Sequence, residues 1–453
     1  MKKVLSVLLM LAMIFSLIPM GTFTLTANAL TEGYYIYTVT DSKATITDVD
    51  ESLSGDVIIP STLGGYPVTS IGTWAFAWCE NLTSITIPDG VTSIGESMFY
   101  CCSKLESITI PNGVTSIGRD AFEGCTSITS IVIPDGVTTI SEYAFFDCQA
   151  MTSITLSDSI TSIGNYAFLD TGYYLNEDNW EDNVLYIGKH LIKANSSIID
   201  DCIVKDGTLT IADYAFAFRE ELTGIVISNS VKNIGECAFG GCAALESITV
   251  DSGNTVFHSE GNCLIDTENK VLVAGCKNSV IPTDNSVTSI GDYAFYGNYE
   301  ITSITIPENI TSISWCSFAE CGALAKIIIP DSITSIGEGA FEECASLTDV
   351  WYGGSMSDRE KLDLADGNDY LIGSTWHYDF CKEHTYIGFF DRSCDSCGWE
   401  RDDRSVPTSA HLLEMQQNML GITNFPYGYF DINLDEYFNA TDLVILQMFI
   451  LGL

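Results

Sequence analysis

Along most of the chain the apolar residues fall into one short phrase that returns every 23 positions. From Asn81 it reads NLTSITIPDGVTSIGESMFYCC, and from Lys104 it reads KLESITIPNGVTSIGRDAFEGC. Leu82, Ile85 and Ile87 space their apolar side chains as a short strand with one face turned inward. Pro88 lacks an amide donor and ends that strand. Val91 and Ile94 turn inward again, Gly95 is expected to permit a tight bend, and Phe99 and Cys102 fill the far side of the coil.

Aligned on the isoleucine of TSIG, the phrase recurs at Ile71, Ile94, Ile117, Ile140 and Ile163, then at Ile211 and Ile234, and finally at Ile290, Ile313 and Ile336. One such coil cannot cover its own apolar face, whereas stacked coils bury a continuous core. A period in this range carrying L-x-x-I-x-I predicts a leucine-rich-repeat solenoid of short parallel strands, with ten repeats and two insertions. The unit IPxxVTxIGxxAFxxC resembles that of the BspA-like leucine-rich-repeat family over residues 68–352. The resemblance implies an N-terminal cap over 30–67 and a C-terminal cap over 353–378, where a charged helix would cover the last coil. Residues 183–198 and 261–282 alternate apolar residues around polar turns, which predicts hairpins joined to the stack.

Cysteine closes seven of the repeats, at Cys79, Cys102, Cys125, Cys148, Cys242, Cys321 and Cys344; Asp170 or Thr171, Arg219 and Asn298 stand near that place in the others. The reading adopted is buried thiols acting as small hydrophobes, with disulfides between coils as the competing idea. The outward strand positions, Thr83, Ser84 and Thr86 and then Glu106, Ser107 and Thr109, are mostly small hydroxyls. Catalysis needs groups focused at one place, and the repeat spreads them evenly, so no catalytic residue is assigned. Glu96, Asp120, Glu142 and Asp213 are read as equivalent solvated turn positions. Trp74, Trp78, Tyr100, Tyr143, Phe146, Tyr166, Tyr214, Phe218, Tyr293, Tyr296 and Trp315 cluster beside those turns, either to pack over neighbouring coils or to stack on sugars.

The ends change the picture. Residues 1–29 begin with Lys2 and Lys3, continue as an apolar run interrupted by Ser16, Pro19 and Thr22, and close on Ala27-Asn28-Ala29. That is the pattern of a cleaved signal peptide, and it predicts secretion without a transmembrane anchor. The net charge of −41 becomes −43 once the two lysines leave, which argues against a nucleic-acid partner.

Cys381 and His384, followed by Cys394 and Cys397 within residues 379–399, have the spacing of a structural zinc site with all four positions taken by protein. A disulfide with a spare thiol is the alternative. Further on, Asp431, Asn433, Asp435, the Tyr437 carbonyl, Asn439 and Asp442 occupy positions 1, 3, 5, 7, 9 and 12 of a calcium loop. An apolar helical face of Leu443, Leu446, Ile450 and Leu451 follows. Residues 400–453 thereby resemble a small α-helical, EF-hand-like type I dockerin. Its first loop is degenerate, with Arg404 at position 5 and His411 at position 12. Glu436 replaces the glycine usual at position 6 of the second. The resemblance implies a cohesin domain of a scaffold protein as partner, with Ser409, Ala410, Ala440 and Thr441 as contact positions. The function expected is therefore a secreted, non-catalytic interaction protein, bound through calcium to a cellulosome-type assembly or cell surface. Its repeats would face a polysaccharide or a cell-surface protein. A carbohydrate-active or carbohydrate-binding cellulosome component and a surface adhesin are the alternatives.

Overall fold

The computed structural model describes residues 29–50 and 52–378. Each 23-residue step makes one coil, and successive coils hydrogen-bond in parallel register. Ser84 faces Ser107, Ile85 faces Ile108 and Thr86 faces Thr109; further along, Ile304 faces Ile327 and Ile327 faces Val350. The TSI segment is itself a second short strand: Ser93–Ile94 and Ser116–Ile117 pair in parallel, each isoleucine against its repeat partner. The threonine before it stitches the coils further. Its hydroxyl donates to the threonine carbonyl one coil back, from Thr115 to Thr92 (3.3 Å), from Thr161 to Thr138 (3.2 Å) and from Thr334 to Thr311 (3.1 Å).

The third side of the coil, from the glycine to the cysteine, is a run of turns that also stacks. Alternate amides donate to the next coil: Trp74 to Glu96 O (3.3 Å), Phe76 to Met98 O (3.0 Å) and Trp78 to Tyr100 O (2.8 Å). The intervening amides close local turns, Ala75 to Gly72 O and Ala77 to Trp74 O. No strand or helix is needed to satisfy this backbone.

The bend expected at Gly95 lies elsewhere. Two positions per coil have left-handed φ, three and seven residues after the TSI isoleucine: Ser97 (+52°) and Cys101 (+55°), Tyr143 (+56°) and Asp147 (+57°), Tyr214 (+54°) and Phe218 (+60°). The TSIG glycine serves close stacking instead. A Cβ on Gly118 would sit 2.7 Å from the Glu96 amide nitrogen and the Gly95 carbonyl carbon, backbone atoms that cannot swing away.

Inside, the phenylalanines form columns. Phe76, Phe99, Phe122, Phe145 and Phe168 follow one another at 5.1–5.5 Å between ring centroids. Phe216 and Phe239 make a second column, and Phe295, Phe318 and Phe341 a third. Three apolar cores correspond to these columns, and the breaks fall at the two insertions.

Both insertions contain the expected hairpins. Val184–Ile187 pairs antiparallel with His190–Ala194, which then joins Thr210–Ile211 in parallel. Phe257–Glu260, Cys263–Asp266 and Val271–Ala274 form an antiparallel meander, whose last strand joins Ser289–Ile290 in parallel. At the N-terminal end, Leu30–Glu32, Tyr35–Thr40 and Lys43–Val49 form an antiparallel sheet leading into Tyr66–Ile71.

Residues 353–378 differ from the charged helix expected there. Two short helices, Met356–Arg359 and Asp369–Gly373, alternate with strands that extend both ladders, so that Leu364 faces Ile336 and Trp376 faces Val350. Buried Asn368 donates to Gly337 O (2.9 Å) and accepts from the Phe341 amide (3.0 Å). The end of the stack is thus one more irregular coil whose side-chain amide replaces missing backbone partners.

Candidate functional surface

The zinc set Cys381, His384, Cys394 and Cys397 lies outside the described residues. So do the calcium loop from Asp431 to Asp442, the contact positions Ser409, Ala410, Ala440 and Thr441, and residues 1–28. Among the described residues, no group of three or more histidine, cysteine or carboxylate side chains could hold a metal ion. No helix among them is long and apolar enough to cross a membrane.

The cysteine column is built from thiols. Cys102, Cys125, Cys148, Cys242, Cys321 and Cys344 each place Sγ 3.1–3.2 Å from a carbonyl one coil back, that of Phe76, Phe99, Phe122, Phe216, Phe295 and Phe318 in turn. Burial pushes the Cys242 and Cys344 thiols up to about 12, which keeps the proton that donates this bond. Of the three repeats without cysteine, the one after Ile163 puts Thr171 rather than Asp170 in the place, buried and donating to Phe168 O (2.8 Å).

The turn edge carries most of the expected aromatic residues, and seven of them occupy left-handed positions: Trp74, Trp78, Tyr143, Tyr166, Tyr214, Phe218 and Tyr293. A sequence signal marks these positions, because Gly124, Gly241, Gly297 and Gly339 stand at the same repeat places with positive φ. The rings meet along the edge. Trp74 stacks on Trp78 at 5.2 Å, Tyr143 tilts against Tyr166 at 5.4 Å, and Tyr293 meets Trp315 edge-on at 4.9 Å. They still present apolar surface: Trp78, Tyr166, Phe218 and Trp315 are 36–46% exposed.

The acidic turn positions are less uniform than the repeat suggests. Asp120 stands one residue past Glu96 and Glu142 in register, at a left-handed position (φ +54°). Asp213 departs from the solvated reading: burial first, and then the charges of Glu236 and Glu142, raise its carboxyl to about 6, although its Oδ1 accepts the Glu236 amide at 2.9 Å. His190 is fully buried, with Nε2 3.1 Å from Ser157 O and a pKa lowered by burial, so it is not placed to serve as a base at the surface.

The two insertions each remove one rung of the turn ladder, and the wedges they leave are unequal. The first, between Tyr166 and Tyr214, holds Lys193 and a residual void of about 20 Å³. The second, between Cys237 and Tyr293, is a cleft of about 180 Å³. Its narrow end is pinched where the Gly241 amide donates to Tyr296 O (2.8 Å). A Cβ on Gly297 would lie 2.9 Å from Gly241 Cα. Glu236 and Asp292 stand exposed at the rim, and Tyr296 donates to Glu320 Oε1 at 2.6 Å.

The repeats seen here coincide with a family model described as BspA type leucine rich repeat region, which matches residues 57–173, 138–263 and 270–360. The chain belongs to the BspA-type leucine-rich-repeat family. It is similar to a leucine rich cell surface protein of Faecalibacterium prausnitzii A2-165, with 28% identity, a TM-score of 0.34, and coverage of 77% of this chain and 98% of that one. A leucine-rich repeat protein of Bacteroides capillosus ATCC 29799 shares 31% identity over 28% of this chain and 96% of its own, with a TM-score of 0.26. The pneumococcal vaccine antigen PcpA matches 86% of this chain and 96% of its own at 17% identity and a TM-score of 0.37. None of the curated proteins compared with the chain matches it. The coils present two outward surfaces: hydroxyl-lined strand faces on one side and the aromatic turn edge on another.

Proposed function

We propose that the protein is a secreted, non-catalytic interaction component, displayed outside the cell, whose solenoid binds a target while residues 400–453 dock it to a cohesin domain. The observation that carries the docking is the oxygen-ligand spacing of Asp431, Asn433, Asp435, Tyr437, Asn439 and Asp442, with the apolar helical pattern behind it. Calcium bound there would order the loop and its helix, and Ala440 and Thr441, with Ser409 and Ala410, would contact the cohesin. Cys381, His384, Cys394 and Cys397 would hold a structural zinc between solenoid and dockerin-like module. The cell-surface relative from Faecalibacterium supports display outside the cell.

The test is a pull-down of the full chain on a panel of cohesins, with calcium and then with a chelator. Binding should appear with calcium, vanish with the chelator, and be lost in the Asp431→Ala, Asp442→Ala double variant. Retention by that variant would end the calcium-docking account. One observation favours a second reading, a carbohydrate-binding accessory: the exposed rings of Trp78, Tyr166, Phe218 and Trp315. Retention on insoluble plant polysaccharide, weakened by Trp78→Ala and Trp315→Ala, would support it, and released sugar would point to catalysis instead.

A further inference from the structure

The two wedges are the same place in the fold, occupied in one and open in the other. His190–Ala194 and Val271–Ala274 enter their next coils in matching register, since Leu191 faces Ile211 and Leu272 faces Ile290. The residue three further on confirms the match: the Ala194 amide donates to Ala215 O and the Gly275 amide to Ala294 O, both at 2.8 Å. Between these points, Lys193 of the first wedge corresponds to Ala274 of the second.

In the first wedge the lysine chain fills the gap. Its Nζ donates to Tyr214 O at 2.6 Å and lies 5.5 Å from the centroid of the Tyr166 ring. In the second wedge the corresponding carbonyl is that of Tyr293, which accepts the Tyr296 amide at 3.0 Å; no ammonium of the described residues reaches it. A second exchange strengthens the contrast. Arg219 follows the first wedge, whereas Asn298 stands at the same repeat position after the second. Asn298 lines the cleft, is 5% exposed, and its Oδ1 has no hydrogen-bond partner among the described residues. A buried acceptor without a donor loses its hydration and gains nothing in return, which is destabilising. Among the residues lining the cleft there is no lysine or arginine, while Glu236 and Asp292 stand at its rim and the rings of Tyr293 and Tyr296 form part of its wall.

We propose that this second cleft binds a primary alkylammonium group, such as a lysine side chain of a partner protein, entering where Lys193 lies in the first wedge. The alkyl chain covers the wall formed by Val271, Val273 and Phe295. The ammonium supplies the donor that Asn298 Oδ1 lacks and a second donor for the Tyr293 carbonyl, as Lys193 does for the Tyr214 carbonyl, close to aromatic faces and two carboxylates. The site is independent of the terminal module, so failure of cohesin binding leaves it untouched.

The experiment uses the full chain and three ligands of equal length: n-pentylamine, n-pentanol and pentanoate, followed by calorimetry and by ligand-detected NMR. Pentylamine should bind, with pentanol and pentanoate at least about tenfold weaker. Ala274→Lys should fill the cleft from within, keep or raise the melting temperature, and abolish amine binding; Asn298→Leu should weaken it about tenfold. Lys193→Ala opens the first wedge and should bind a second equivalent of pentylamine, seen as amine-dependent recovery of melting temperature even if that variant is destabilised. The proposal falls if pentanol binds as well as pentylamine, if Ala274→Lys retains the amine, if Lys193→Ala is not rescued, or if the wild type binds no amine.

Discussion

Replacing Phe122 with alanine removes a ring from the middle of a column. Phe122 is fully buried and stacks on Phe99 at 5.3 Å and on Phe145 at 5.1 Å. A core phenylalanine cut to alanine costs about 3–5 kcal/mol, and two aromatic contacts of about 0.5–1.5 kcal/mol each place Phe122 at the upper end. Phe239 is the informative control. It has the same repeat position and is 6% exposed, but among the described residues it stacks only on Phe216, at 5.5 Å, and borders the open cleft on its other side. Its loss removes one ring contact and enlarges a void that already exists, so Phe239→Ala should cost about 1–2 kcal/mol less than Phe122→Ala. Urea unfolding followed by far-ultraviolet circular dichroism measures both, with the denaturant slope confirming that the same surface unfolds in each. Equal costs at equal slope, or a larger cost for Phe239→Ala, would refute the view that column continuity sets local stability.

Asp213→Asn should stabilise the protein at neutral pH and not in acid. Because the carboxyl is raised from 3.8 to about 6 in the fold, its favourable protonated form is fully present below pH 4 and is lost as pH rises through 6. The gain from an uncharged asparagine therefore grows across that window toward a ceiling of about 3 kcal/mol. A pH series of melting curves checks it, and a gain that is flat with pH contradicts it. His190 works in the opposite direction: its pKa is lowered by burial, so its contribution is intact above 6.5 and falls as acid protonates the unfolded chain, and His190→Gln should flatten that acid limb. Gly118→Ala should cost about 1–3 kcal/mol through backbone overlap with Glu96 and Gly95. Gly322→Ala, whose added Cβ would meet nothing within 4 Å, should stay within about 0.5 kcal/mol of wild type in the same unfolding assay.

Much of the fold was legible because a 23-residue period leaves an inward face only one way to be buried. Ile94, Phe99 and Cys102 point inward in any stacked coil, and the hairpins at 183–198 and 261–282 follow from alternation around polar turns. The left-handed positions were legible only through comparison between repeats, where Gly124 and Gly297 replace Trp78 and Phe218. The candidate cleft was not legible at all. Asn298 and Arg219 stood out only as departures from the repeat's cysteine, and Ala274 not at all; they acquire meaning when strand register sets Ala274 against Lys193 and the cleft beside Asn298.

The sequence by itself determined the coil, its period, the inward residues and the places where the repeat breaks, since these depend on local spacing and on the need to cover apolar surface. Tertiary structure decided what happens at the breaks. Whether a missing rung is plugged or left open depends on which side chain the inserted strand delivers into the gap. That is set by pairing between segments far apart in the chain: a lysine closes one wedge, and an alanine leaves the other open to a ligand.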